Sequence, residues 1–132
     1  MIELFLPFPP SVNGLYDGGH KSKRRFKSAH YEDWIVAAGN KARRQVKDFK
    51  GIDRECEIVI SLVKPDKRKR DVANLEKAVT DFLVSFGILQ DDCLITRNTQ
   101  EWATGDFECR VRITPAFTPC EQYLPRMEAM PV

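Results

Sequence analysis

The sequence predicts an α/β fold of the α+β kind: a small mixed β-sheet with two helices packed on it, in the order β-α-β-α-β-β. Three observations point there. Apolar residues recur at helical spacing in two stretches, and as blocks or alternations in four others. Pro, Gly, Asn and Asp gather between these stretches, where turns need them. The chain has 132 residues, 42% hydrophobic and 30% charged, which suits one domain with a core of its own.

Residues 2–6, "IELFL", read as a short strand closed by Pro7, Pro9 and Pro10. Residues 9–25 read as a loop rich in Pro, Gly, Asn and Asp. Ser28 is a candidate N-cap for a helix over 29–48, where Trp34, Ile35, Ala38, Ala42 and Val46 recur on one face and "KARRQ" supplies the polar face. Gly51 and Asp53 interrupt the chain before "CEIVISLVK", residues 56–64, a β-branched buried strand. A second helix is predicted over 72–87. Leu75, Val79, Phe82 and Phe86 form its stripe, Ala78 and Leu83 flank it, and Gly87 is its C-cap. "ILQDDCLI" turns into a strand. Residues 94–103 and 107–114 then read as a hairpin around Gly105-Asp106, with Cys109, Val111 and Ile113 alternating against Arg110, Arg112 and Thr114. The domain is placed at 1–117 and an aperiodic tail at 118–132, with no repeat or linker between.

Several classes are set aside. No apolar run approaches the roughly 20 residues of a membrane span. The first residues lack a basic segment and a small-residue cleavage site, so the expectation is a cytoplasmic protein without a leader. Cys56, Cys93, Cys109 and Cys120 form no C-x-x-C pair and read as thiols in a reducing compartment. His20 and His30 fit no zinc spacing.

Net charge is only +2, but its distribution is uneven. Residues 21–27 carry five basic side chains and no acid: Lys21, Lys23, Arg24, Arg25 and Lys27. Residues 64–70 carry five and one acid, with Lys67, Arg68, Lys69 and Arg70 running directly into Asp71. Two such clusters suit a polyanion such as a DNA backbone. Asp71 is placed to cap the second helix. Asp91 and Asp92 open the following strand, and in a βαβ-like arrangement that point can lie near the end of the preceding strand. Asp71 and Asp92 are then candidates to share a Mg²⁺, which takes hard oxygen ligands and needs only one or two carboxylates beside a phosphate. Lys77 is either a solvated surface lysine or a contact to the scissile phosphate. Asn74 either caps the helix or steadies a ligand.

The stretches "LPFPPSVNGLY", "RDVANLEKAVTDFL" and "GILQDDCLI", in this order and spacing, resemble the RusA family of Holliday junction resolvases from bacteria and their prophages. The likeness spans most of residues 2–115. Its central motif is Arg-Asp-x-Asp-Asn-x-x-Lys, followed by a Gly-hydrophobic-x-x-Asp-Asp turn. The resemblance implies a homodimer that binds four-way DNA junctions in recombination and repair. It implies symmetric paired cuts in two opposed strands, dependent on Mg²⁺ or a substitute such as Mn²⁺. It implies a catalytic set of three aspartates and a lysine. Asp71 matches the first aspartate, Asp92 the aspartate of the Asp-Asp turn with Asp91 as its neighbour, and Lys77 the lysine. Arg70 and Asn74 match the flanking polar positions.

The middle aspartate falls on Ala73, which has no oxygen to offer a cation. One explanation is a natural member that has lost catalysis and kept junction binding. The other is a deliberate aspartate-to-alanine change, favoured by the retention of Asp71, Lys77 and Asp92. Beside the nuclease stands a non-catalytic branched-DNA-binding module, with Ala73 as its support. A small nucleotide phosphohydrolase is a weaker third reading, because the basic area suits a long polyanion.

Overall fold

A computed structural model describes residues 1–18, 25–46 and 51–116. The strands are β1 (Ile2–Leu6), β2 (Tyr16–Gly18), β3 (Arg25–Lys27), β4 (Cys56–Leu62), β5 (Ile95–Trp102) and β6 (Cys109–Pro115); the helices are α1 (Ala29–Gln45) and α2 (Glu76–Phe86). Four strands form one sheet in the order β1-β6-β4-β5, while β2 and β3 pair as a separate ribbon. β4 runs antiparallel to β6 and parallel to β5, so the sheet is mixed.

Side chains alternate across a sheet, and the register puts Leu4, Val111 and Ile60 in one row and Leu6, Cys109 and Leu62 in the next. All six are buried. The helices close this face with Trp34, Ala38 and Ala42 from α1 and with Val79, Phe82 and Leu83 from α2. A run of rings ties the pieces together. Tyr16 meets Tyr31 at 6.0 Å, Tyr31 meets Trp34 at 6.4 Å, and Trp34 meets Phe82 edge-on at 5.7 Å. The ribbon, α1 and α2 thus share one aromatic seam. Cys56, Cys93 and Cys109 are free thiols, and burial pushes that of Cys109 up to about 12.

The mixed sheet and its two helices are as the sequence predicts, but several expectations are corrected. Residues 94–114 do not form a hairpin, because β4 lies between β5 and β6. β4 is the most buried strand and fills a central slot, whereas β5, with Thr96, Arg97, Thr99 and Glu101 exposed, suits an edge. The loop expected over 9–25 contains a 3-10 turn at Val12–Gly14 and contributes to the ribbon. The second helix starts with a 3-10 turn at Val72–Leu75 before α2. Gly87 does cap α2, in the left-handed region at φ 95°, and its N–H donates to the Leu83 and Val84 carbonyls. Helix α1 ends at Gln45 and the strand from residue 56 at Leu62; residues 47–48 and the tail lie outside the described residues. No described helix is long and apolar enough to cross a membrane.

Edge strand β1 needs partners for its outward backbone groups. Gln45 supplies them: its Oε1 accepts from the Phe5 N–H at 2.7 Å, and its Nε2 donates to the Phe5 carbonyl at 2.7 Å. One side-chain amide thus imitates a further strand. At about 0.5–1.5 kcal/mol net per hydrogen bond, Gln45→Ala is expected to cost about 1–2 kcal/mol in urea denaturation. Arg44→Ala, on the exposed face beside it, should change stability by less than about 0.5 kcal/mol.

Candidate active site

The row Leu6–Cys109–Leu62–Trp102 marks one end of the sheet, and the segments that follow β1, β4 and β5 all leave from it. In α/β sheets this is the end where ligands bind. A cleft of about 360 Å³ opens there. Its walls are Phe8, Pro9, Pro10 and Ser11 after β1, His30 at the start of α1, and Lys69, Arg70, Asp71 and Asn74 from the segment after β4.

Asp71 has extended backbone, and its Oδ1 accepts from the Ala73 N–H at 3.1 Å. It is therefore the predicted cap, and it also lines the cleft. Ala73 is exposed on the turn that follows. The second acid turn is built alike: Asp91 precedes a 3-10 turn at Asp92–Leu94, and its Oδ1 accepts from the Cys93 N–H at 3.0 Å. That bond holds the Asp91 carboxyl below the usual carboxylate range. Asp92 is pushed above it, first by its hydrogen bond to Asp91, then by the charge of Asp91 and, further off, of Asp81.

The expectation that Asp91 and Asp92 lie near the end of the preceding strand does not hold. β5 is parallel to β4, and Ile95 stands beside Cys56, the start of β4. Strand geometry therefore does not carry Asp92 to Asp71. What lies between them in the chain is α2. Lys77 of α2 donates to Asp81 one turn later at 3.3 Å, and this bond raises the lysine's pKa. Both charges are felt by Asp92. Asp81 also helps burial push the Tyr31 hydroxyl up to about 12. Among the described residues, no three Asp, Glu, His or Cys side chains converge as a metal-holding group.

The start of α2 is fixed to β5 by a polar chain. Glu76 Oε1 accepts from Thr80 Oγ1 at 2.7 Å and from Asn98 Nδ2 at 2.9 Å, and Gln100 Nε2 donates to Asn98 Oδ1 at 2.6 Å. This chain holds the turn bearing Lys77 against the sheet.

The basic run divides in two. Asp66, its single acid, accepts from Arg70 Nη2 at 3.0 Å and from the Arg68 N–H at 2.9 Å, and these bonds hold its carboxyl far below the usual range. Arg70 also lies over the Phe8 ring at 5.6 Å, so it is a fixed wall of the cleft. Lys67 and Lys69 are exposed; Arg68 is exposed too, but its guanidinium is paired with Asp66 at 3.2 Å. Of the first cluster, Lys27 is exposed on β3 beside Tyr16, the backbone of Arg25 pairs with Gly18, and Lys21, Lys23 and Arg24 lie outside the described residues.

Sequence reasoning missed Asp81, Asp66, His30 and Phe8. Asp81 was within reach, since a carboxylate four residues after a lysine on a helix is a standard pair. So was Asp66, embedded among cations. Nothing local announces that His30 and Phe8 line the same cleft as Asp71.

A family model described as "Endodeoxyribonuclease RusA" matches residues 7–114, which include both acid turns, Lys77 and the whole cleft. The chain belongs to the RusA family. It is 35% identical over 99 residues to a crossover junction endodeoxyribonuclease RusA of Aquifex aeolicus, covering 71% of this chain and 74% of that relative. It is 32% identical over 90 residues to the protein of that name from Escherichia coli K12, covering 68% and 72%. A phage relative, from Enterobacteria phage 82, has the same name, identity and coverage. The RusA-family resemblance seen in the sequence therefore stands.

The Asp91–Asp92 contact is testable by titration. Asp91→Asn keeps an oxygen for the Cys93 N–H and removes the charge. The Asp92 pKa should then fall toward the ordinary value of about 3.9. Carboxyl carbon NMR from pH 2 to 8 reads this, and an unmoved Asp92 would show that Asp91 is not the cause.

Proposed function

We propose that this protein is a crossover junction endodeoxyribonuclease that binds four-way DNA junctions and cuts them by phosphodiester hydrolysis. The observation that carries the proposal is the grouping of Lys77, Asp81, Asp91 and Asp92 on one helix and the turn it leads to, in a chain of the RusA family. Lys67, Arg68 and Lys69 stand exposed before Asp71 and hold phosphates, so that the strand enters the cleft along the basic run. Lys77, kept charged by Asp81, faces the negative charge that develops on the phosphate. Asn74 in the cleft wall orients the strand.

The donor chemistry fits a hard divalent cation. Asp92 is pressed by two neighbouring carboxylates, an excess of negative charge that a cation relieves. Asp91 and Asp92, hydrogen-bonded to one another, are the residues that would hold it; Asp71, in the cleft at the other end of β4, is not brought to them. Bound Mg²⁺ or Mn²⁺ would polarise the phosphodiester and lower the pKa of an attacking water. Symmetric cuts in two opposed strands follow if two copies of the chain pair about a two-fold axis.

Ala73 is the weak point of the set and leaves catalysis impaired. The site tolerates a carboxylate at this position: Ala73 is exposed, in the first turn ahead of α2, where negative charge is favourable. A second reading, a junction-binding module without catalysis, rests on this same residue.

Ala73→Asp decides between them. Partners one shell out from a metal are worth about 10–100-fold, so a direct ligand should restore at least about a hundred-fold in junction cleavage with Mg²⁺. Denaturing gels of a labelled junction and a matched duplex measure this. Cleavage by neither chain, with tight junction binding by both, leaves the binding module. Lys67→Gln and Lys69→Gln should each weaken binding to all DNA alike and lower the slope of log affinity against log salt by about 0.9.

A further inference from the structure

Trp102 lies at the end of edge strand β5, level with Leu62 and partly buried against the core. Three groups sit against its neighbourhood. Phe8 stacks with it nearly parallel, at 9° and 6.5 Å between centroids. The Lys64 ammonium lies over its ring at 5.1 Å. Arg70, held by Asp66, lies over the ring of Phe8. The result is a ladder of cation, ring, ring and cation along the site end of the sheet. Phe8 forms a wall of the cleft that contains Asp71. Trp102 and Lys64 form walls of a second depression, of about 510 Å³, with Val63, Ala103 and Thr104.

Hydrogen bonds anchor the ladder except at one rung. The Phe8 N–H donates to Glu108 Oε2 at 2.7 Å, and the Val63 N–H to the Glu108 carbonyl at 3.1 Å. The Ala103 N–H donates to the Leu62 carbonyl at 2.8 Å. Arg70 is doubly bonded to Asp66. Lys64 is the exception, an exposed and flexible side chain whose contact is with the ring.

The geometry points to the Trp102 depression as a nucleobase-stacking site, which takes a base unstacked where strands exchange at the branch point. The base replaces the Lys64 ammonium over the indole, and Lys64 moves to the phosphate of that nucleotide. An exposed cation–π contact is weaker than a base–aromatic stack, so the exchange runs toward the base. Phe8 joins the two depressions, so a strand held at Trp102 is aligned with the Asp71 cleft. The chemistry matches that of single-strand binders, a basic groove beside an aromatic platform. This inference rests on the DNA-binding reading above and deepens it.

The test uses the full chain and two four-way junctions, one intact and one with abasic residues at the branch point. Binding is read by anisotropy of labelled junctions, and indole emission on unlabelled ones. Trp34 is only 5% exposed, so a DNA-dependent change in emission reports Trp102. The expected result is quenching by the intact junction and little by the abasic one. Trp102→Ala should weaken intact-junction binding about ten-fold, a typical loss for one stacked base, and leave abasic-junction binding unchanged. Trp102→Phe should keep most of the affinity, and Lys64→Gln should lower the salt slope by about 0.9. Equal binding by Trp102→Ala, or emission that ignores the junction, overturns the stacking site while leaving the nuclease reading intact. If Trp102→Ala does not fold, the emission and abasic comparisons on the unaltered chain decide alone. No binding of the unaltered chain to any DNA overturns both readings together.

Discussion

Strand β4 sets the terms for everything else. It is antiparallel to β6 on one side and parallel to β5 on the other. A parallel neighbour cannot be reached by a tight turn, so the chain must cross over the sheet between β4 and β5. That crossover is the basic run, Asp71, Ala73 and α2 with Lys77. One pairing choice therefore forces the residues with the most pronounced chemistry out of the sheet and onto the helix that covers it. The same choice leaves the segments after β1, β4 and β5 together at one end, where Phe8, Asp71 and Trp102 become neighbours of two adjoining depressions.

The acid turns show how one carboxylate serves structure and chemistry. Asp71 and Asp91 each cap a short turn through one oxygen. A cap fixes the direction of the carboxyl without burying it, which leaves it open to a ligand. Asp92 lacks that relief and carries the repulsion of its neighbour. Cations are treated with the same economy. Asp66 immobilises Arg70, Asp81 holds Lys77, and Lys67 and Lys69 stay exposed to solvent. Surface pairs of this kind add little stability. Their effect is to choose which positive charges are fixed and which are mobile.

Ala73 stands among these groups as the position where the RusA resemblance implies a carboxylate and this chain has a methyl. Its backbone N–H still serves the Asp71 cap, so the turn is intact around the substitution. The fold does not depend on an oxygen at residue 73. That separation of folding from chemistry is what makes Ala73→Asp a clean test of the proposed function.

The sequence by itself determined the elements whose signals are local. Alternation gave β6, the helical stripe gave α1 and α2, Ser28 capped α1 and Gly87 ended α2, because side-chain period and cap chemistry act within a few residues. It also proposed Asp71, Asp91, Asp92 and Lys77 as site residues by their motif. Only the tertiary structure decided strand order, since β5 and β6 each carry patterns compatible with pairing one another, and it is competition for the apolar β4 that separates them. Tertiary structure alone also brought His30 and Phe8 to Asp71, Gln45 to Phe5 and Lys64 to Trp102 beside Phe8. Such long-range contacts leave no periodic trace, because their energy depends on where the sheet sets each residue and not on the residues beside it.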